Sequence, residues 1–160
     1  MKILSDYGRE YFWIVVLIMM FLIGGFDGRI VGLIILISFI IIIPLNIIIK
    51  DLVDKDRPPL VHDDKSIKEI SLDKSYPSGH ASIVSAAALP AVLFFRKSLN
   101  QKIVSSFLVV EAGLVCISRL YLGVHYSSDV VSGILLGSGI SLLVASNHMI
   151  FERLVKKIRI

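Results

Sequence analysis

The stretch IVGLIILISFIIIIPLNIII, Ile30–Ile49, decides the fold of this chain. A helix needs about 20 apolar residues to cross the roughly 30 Å of hydrocarbon in a bilayer, and this stretch meets that length. Lys50 follows it directly, and the residues after Lys50 are largely polar. We therefore predict a membrane-spanning helix that ends at the membrane surface and leads into a polar loop.

Further apolar segments lie on both sides of this one along the chain. They are Tyr11–Phe26, His80–Phe95, Ile103–Ile117 and Val130–Ile150. With 55% hydrophobic residues and a mean hydropathy of +0.80, the chain is far more apolar than a soluble domain of its length. We expect one all-α, membrane-embedded domain over residues 1–160, an integral membrane helical bundle of about five to six transmembrane helices. Met1–Glu10 would form a short interfacial helix before it.

The distribution of charge indicates partners and orientation. The net charge is +4, but the basic residues flank apolar segments instead of forming a polar domain. We therefore expect the lipid bilayer as a partner and no nucleic acid. The positive-inside rule favours a cytoplasmic location for one set of cations, namely Arg96, Lys97, Arg153, Lys156, Lys157 and Arg159. The chain is then a multi-pass cell-membrane protein whose polar motifs face the extracytoplasmic side.

The first polar motif is Lys50 with Arg57-Pro58, directly after a predicted membrane helix. Arginine offers a planar fork of donors and lysine a compact charge, so the pair suits a phosphoryl group. The alternative is a helix end whose cations reach for the membrane surface. The acids nearby alternate with lysines and lack metal-ligand spacing, so we interpret them as a solvated face and expect no metal and no other cofactor. These acids are Asp51, Asp54, Asp56, Asp63 and Asp64.

The second motif, Pro77-Ser78-Gly79-His80, opens the third predicted helix. Ser78 suits an N-cap, Gly79 lets the backbone approach a ligand closely, and the first N–H groups of a helix attract an anion. His80 would then lie within reach of that anion. An ordinary helix start with an interfacial histidine is the alternative interpretation.

The third motif contains Ser118-Arg119, His125 and Asp129 and precedes the last predicted helix. If that helix begins near His125, the i, i+4 spacing places Asp129 beside the imidazole. A carboxylate that accepts from one ring nitrogen fixes the tautomer and leaves the other nitrogen nucleophilic, while Arg119 adds a third cation. A purely structural His–Asp hydrogen bond would explain the same spacing.

Together the three motifs offer what phosphoryl transfer needs: a nucleophile with an orienting acid, a second histidine, three cations and a helix N-terminus. They resemble the type-2 phosphatidic acid phosphatase superfamily, whose pattern is Lys, six residues, Arg-Pro, then Pro-Ser-Gly-His, then Ser-Arg, five residues, His, three residues, Asp. Every fixed position of that pattern matches, in order. The matching stretches are KDLVDKDRP from Lys50 to Pro58, PSGH from Pro77 to His80 and SRLYLGVHYSSD from Ser118 to Asp129.

The resemblance implies a role for each matching residue. His125 would attack phosphorus and form a phosphohistidine, Asp129 would orient it, and His80 would protonate the leaving oxygen. The residues that would hold the phosphate are Lys50, Arg57, Ser78, Gly79 and Arg119. Relatives work without a metal, and membrane relatives typically have six spans where five are predicted here, which leaves the N-terminal topology open.

These features predict an enzyme, a phosphoric monoester or diphosphate hydrolase that acts on a lipid phosphate or diphosphate. The small chain and the outward site favour a polyprenyl diphosphate of the undecaprenyl or dolichyl type, hydrolysed to the monophosphate. Phosphatidate or phosphatidylglycerol phosphate is the alternative substrate. A membrane scaffold that only binds an anion is the alternative from another class, but the histidines and Asp129 would add little to anion binding.

Two glycines in the last predicted helix, Gly133 and Gly137, occupy positions one helical turn apart. Such small residues let a second helix approach closely in a membrane. We favour packing inside the bundle over dimerisation as the explanation.

Overall fold

The computed structural model describes residues 11–59 and 73–158, and its secondary structure over these ranges is entirely helical. The helices are α1 Tyr11–Leu22, α2 Gly25–Val53, α3 Gly79–Phe94, α4 Leu99–Tyr121, α5 Ser127–Ala145 and α6 His148–Ile158. This architecture confirms the predicted all-α bundle. The expected interfacial helix Met1–Glu10 lies outside the described residues.

The apolar helices agree with the predicted segments in order and number. By length and composition, α2, α4 and α5 can each cross a membrane, and α1 and α3 are shorter apolar helices. Large apolar side chains remain exposed on their outer surfaces, for example Ile40, Ile47 and Phe107. In water such surfaces would drive association, whereas in a bilayer they face hydrocarbon.

The predicted helix boundaries between α1 and α2 and at the start of α4 are wrong. The predicted segments Tyr11–Phe26 and Ile30–Ile49 leave a break between Phe26 and Ile30, but α1 ends at Leu22 and α2 already begins at Gly25. Gly25 turns the chain there with φ 63°, a conformation that glycine adopts without steric cost. α4 begins at Leu99 and not at Ile103, because Ser98 and Gln101 form a reciprocal capping box.

The last predicted segment, Val130–Ile150, is also corrected, because it divides into two helices. α5 ends at Ala145, and the separate helix α6 follows. Phe151 and Val155 of α6 are buried in a cluster with Ile30 and Ile34 of α2. This spacing of four residues gives α6 one apolar face, and Lys156 and Lys157 lie in its last turn.

α3 is the central helix and packs against α2, α4 and α5. Its contact with α5 depends on the two glycines of α5. A Cβ placed on Gly137 would lie 2.1 Å from the Ser82 carbonyl oxygen, and one on Gly133 would lie 2.6 Å from the Ser78 carbonyl oxygen. The glycines therefore let two helix backbones of the same chain approach closely, which confirms packing within the bundle.

Polar contacts fix the two ends of the bundle. At the end opposite the motifs, Asp27 accepts from Lys97 Nζ at 2.8 Å and from Gln101 Nε2 at 3.0 Å. At the motif end, the Ser78 amide donates to the Asp129 carbonyl at 3.0 Å and links the start of α3 to α5. The polar motifs thus meet where α2 ends and where α3 and α5 begin.

Candidate active site

The three predicted motifs come together at one end of the helical bundle. Arg57 Nη1 donates to the Val124 carbonyl at 2.9 Å and joins the segment after α2 to the loop between α4 and α5. The same guanidinium nitrogen lies 3.2 Å from His125 Nε2. Residues far apart in the sequence therefore form one polar site around the His125 ring.

The contact with Arg57 determines the tautomer of His125. A guanidinium has only donors, so Nε2 must accept from Arg57 and the ring proton must lie on Nδ1. Nδ1 faces Asp129 Oδ2 at 3.7 Å, which is longer than a hydrogen bond. His125 is thus held with an unprotonated Nε2 and with Nδ1 directed toward a carboxylate.

The charge state of His125 follows from its surroundings. Burial, and then the cations Arg57 and Arg119, lower the pKa of the imidazole well below its usual 6.5, while Asp129 acts in the opposite direction. The side chain is only 2% exposed. The ring is therefore neutral at neutral pH, which is the form that can act as a nucleophile.

Asp129 is fully buried and accepts several hydrogen bonds. Its Oδ2 accepts from the Tyr126 amide at 3.0 Å, and its Oδ1 accepts from Lys55 Nζ at 2.5 Å and from Ser128 Oγ at 3.3 Å. α5 begins at Ser127 with Tyr126 as its N-cap, so the helix starts near His125, as expected. The two side chains are neighbours, as the four-residue spacing predicted.

Lys50 is buried at the last turn of α2. Its ammonium donates to the Asp73 carboxylate and, at 2.8 Å, to the Lys74 carbonyl. Arg57 binds the same segment, because its Nε donates to the Asp73 carbonyl at 2.7 Å. Burial lowers the pKa of Arg57, and Asp73 and Asp129 oppose that shift. Both cations are therefore held toward the site, and Lys50 does not reach out to solvent.

Ser78 occupies the N-cap position of α3, but its hydroxyl does not cap the helix. Among the described residues, the buried Oγ has no hydrogen-bond partner. Next to it, a Cβ placed on Gly79 would have no atom within 4 Å. An available hydroxyl and open space at a helix N-terminus are features that an anion can use. His80 is half-buried in the first turn of α3, and Arg119 is buried in the last turn of α4.

Two further residues of this site were not predicted. Lys55 was interpreted as part of a solvated, alternating charge run, yet it binds the buried Asp129. A signal was present, because Lys55 and Arg57 are separated by one residue, and side chains at i and i+2 of an extended segment share a side. Asp73 carried no sequence signal, since its contact with Lys50 depends on the fold. Asp54 and Asp56 pair with Lys74 at the surface.

Comparisons with known proteins identify the family to which the three motifs point. The family model of the PAP2 superfamily matches residues 27–152. The chain is 40% identical to undecaprenyl-diphosphatase of Sulfolobus acidocaldarius over 89% of its own length and 66% of the relative. It is 35% identical to phosphatidylglycerophosphatase B of Bacillus subtilis over 72% of its length and 55% of the relative. The chain therefore spans between about half and two thirds of these curated relatives.

Two solved structures share the fold. The crystal structure of a PAP2-type phosphatidylglycerolphosphate phosphatase from Bacillus subtilis superposes with a TM-score of 0.66 at 29% identity, covering 91% of this chain and 73% of that one. The crystal structure of Aquifex aeolicus LpxE superposes with a TM-score of 0.62 at 21% identity, covering 91% and 82%. At that lower identity, the second likeness concerns the fold alone.

Proposed function

Because the chain belongs to the PAP2 superfamily, we propose that it is a membrane lipid phosphatase that hydrolyses a polyprenyl diphosphate to the monophosphate. The observation that carries the choice of substrate is the 40% identity, over most of this chain, to a relative named undecaprenyl-diphosphatase. The buried, neutral His125 between Arg57 and Asp129 supports the chemistry, because it combines a nucleophile with a cationic surrounding.

In the proposed reaction, His125 Nε2 attacks the terminal phosphorus of the diphosphate. The bond between that phosphorus and the bridging oxygen breaks, and His80 donates a proton to the departing lipid monophosphate. Water then attacks the phosphohistidine and gives its proton to His80. Inorganic phosphate leaves, and both histidines return to their starting states.

The remaining site residues would stabilise charge on the transferred group. Phosphoryl transfer spreads negative charge over the equatorial oxygens, so cations and oriented donors around them lower the barrier. Lys50, Arg57 and Arg119 supply the charge, and the Ser78 hydroxyl with the Gly79 backbone supplies neutral donors. A phosphoryl group at Nε2 would accept the hydrogen bond that Arg57 now donates to this nitrogen.

The position of charged residues supports an extracytoplasmic active site. At the end opposite the motifs lie cations of the set that the positive-inside rule associates with the cytoplasm, among them Arg96, Lys97, Lys156 and Lys157. The Lys97–Asp27 contact belongs to the same end. The proposed site would then act on a lipid presented in the outer leaflet.

A second candidate substrate is a glycerophospholipid monophosphate. The 35% identity to phosphatidylglycerophosphatase B of Bacillus subtilis, together with the fold shared with the phosphatidylglycerolphosphate phosphatase, favours it. The site chemistry is common to both candidates, because both present a terminal phosphate on a lipid. Substrate choice is therefore a question for experiment on this chain.

The test is phosphate release by the purified protein in detergent with a chelator present. Undecaprenyl diphosphate, phosphatidylglycerol phosphate and phosphatidate are offered separately, and His125→Ala is the matched control. We expect fastest release from the diphosphate and a loss of at least about 1,000-fold in the variant, since nucleophile removal has that order of effect. Faster release from a glycerophospholipid would select the second candidate. Release that His125→Ala leaves unchanged would overturn the proposed mechanism.

A further inference from the structure

We propose that Lys55 is a positioning residue that holds the Asp129 carboxylate against His125. This inference rests on the proposed function, since it gives Asp129 its orienting role in phosphoryl transfer. It assigns a task to a cation outside the matching pattern of Lys50, Arg57 and Arg119.

The contacts of the Lys55 ammonium place it behind the carboxylate. Nζ lies 2.5 Å from Asp129 Oδ1 and 3.0 Å from Ser128 Oγ. His125 Nδ1 instead faces the other carboxylate oxygen, Oδ2. The order across the site is therefore Lys55, Asp129, His125 and Arg57. Lys55 binds Asp129 on the oxygen that does not face the ring, while the nucleophilic Nε2 faces Arg57.

Aromatic rings and backbone contacts determine where the Lys55 side chain lies. Its Nζ is 4.4 Å from the centroid of the Tyr126 ring and 5.8 Å from that of Tyr76. The Lys55 carbonyl accepts from the Ser75 amide at 2.9 Å, which fixes its backbone to the segment before α3. Cation–π contacts restrict where the ammonium can move. The lysine is thus held at one place by two other parts of the chain, residues 75–76 and residues 126–129.

The carboxylate needs this partner for two physical reasons. Asp129 is fully buried, and an isolated buried charge is costly unless it is paired and hydrogen-bonded. Its bond to His125 is not formed at 3.7 Å, so His125 does not supply that pairing. Lys55 therefore keeps the carboxylate charged and, together with the Tyr126 amide on Oδ2, fixes its rotation, leaving Oδ2 directed toward the Nδ1 proton as phosphate approaches Nε2.

A positioning role separates Lys55 from the cations proposed to bind phosphate. Arg57 contacts the ring at Nε2, where the phosphoryl group would bind, so its loss should weaken substrate binding. Lys55 contacts the opposite side of the dyad, so its loss should slow the chemical step and leave binding nearly unchanged. The split between kcat and KM therefore distinguishes the two roles.

The experiment compares Lys55→Met, Lys55→Arg and wild type for phosphate release, with Lys156→Met as control on the far end of the bundle. We expect Lys55→Met to lower kcat about 100-fold, the order of effect of a misplaced catalytic group, with KM within about 2-fold. Lys55→Arg should recover kcat to within about 10-fold of wild type. Lys55→Gln, which retains a donor without the charge, replaces Lys55→Met if that variant does not purify.

A second readout is nitrogen NMR of labelled His125 in the unliganded protein. We expect both proteins to show the Nδ1–H tautomer, because Arg57 donates to Nε2 in both, and the Nδ1 resonance to shift in Lys55→Met, because the carboxylate that faces Nδ1 is no longer held in place. An unchanged kcat, or an effect on KM alone, would overturn the positioning role. If wild type releases no phosphate from any lipid tested, the proposed function fails, and an unchanged Nδ1 resonance in Lys55→Met would separately overturn the role of Lys55.

Discussion

Substitution of Gly137 by alanine tests whether the close approach of α3 and α5 builds the site. The added Cβ would lie 2.1 Å from the Ser82 carbonyl oxygen, about 1.3 Å short of the 3.4 Å at which ordinary van der Waals contact begins. The Ser85 hydroxyl, at 2.6 Å, could rotate away, but the Ser82 carbonyl belongs to the α3 backbone. The two helices must therefore separate by roughly 1 Å.

That separation should affect both stability and activity. Overpacking a close contact costs typically about 1–3 kcal/mol. Ser78, Gly79 and His80 move with α3, whereas Asp129 belongs to α5 and His125 lies just before it. A misplacement of about 1 Å costs on the order of 100-fold in rate, so kcat/KM should fall by about that factor.

Gly139→Ala is the matched control, because it is the same substitution on the same helix. A Cβ on Gly139 meets no atom within 4 Å, and alanine is favoured over glycine in a helix by about 1 kcal/mol. Thermal unfolding in detergent and phosphate release are measured for both variants. We expect Gly139→Ala to match wild type in activity and to be at least as stable. If Gly137→Ala behaves like Gly139→Ala in both assays, the glycine contact does not position the site.

Two other predictions concern charge and orientation. Asp73→Asn should strengthen inhibition by vanadate about 2- to 10-fold, because the Lys50 ammonium no longer binds this carboxylate and can bind an anion. Weaker inhibition would mean that Asp73 orients Lys50 toward the anion instead. The orientation is tested by single cysteines in a Cys116→Ala background, labelled with an impermeant maleimide. In intact cells the reagent should label Asp56→Cys at the motif end, and it should label Lys156→Cys only after permeabilisation. The reverse pattern would place the site in the cytoplasm.

The membrane fold was predictable because it depends on local composition. Long apolar runs identify helices in lipid wherever they occur, since every backbone group must be satisfied within its own segment. The boundaries were less predictable. The turn between α1 and α2, with Gly25 at positive φ, lies within an uninterrupted apolar run, and α6 is separated from α5 without a proline or glycine to mark the break.

The site was predictable where residue type and spacing carry the chemistry. Arg57, His80, His125 and Asp129 were selected because phosphoryl transfer needs cations, a nucleophile and an acid, and the PAP2 match confirms the family that their pattern resembles. Their individual roles remain predictions. Lys55 was passed over because a lysine among alternating charges usually faces solvent.

Local sequence thus determined which segments enter the membrane and which polar residues accompany them, because hydropathy and side-chain chemistry are properties of single segments. The tertiary structure decided which of those residues meet: Arg57 with Nε2 of His125, Lys55 with Asp129, and Lys50 with Asp73. These pairs join residues from separate segments of the chain. The glycine spacing predicted a close helix contact, but only the fold decides which helix lies there, since Gly133 and Gly137 meet the carbonyls of Ser78 and Ser82, about 55 residues away along the chain.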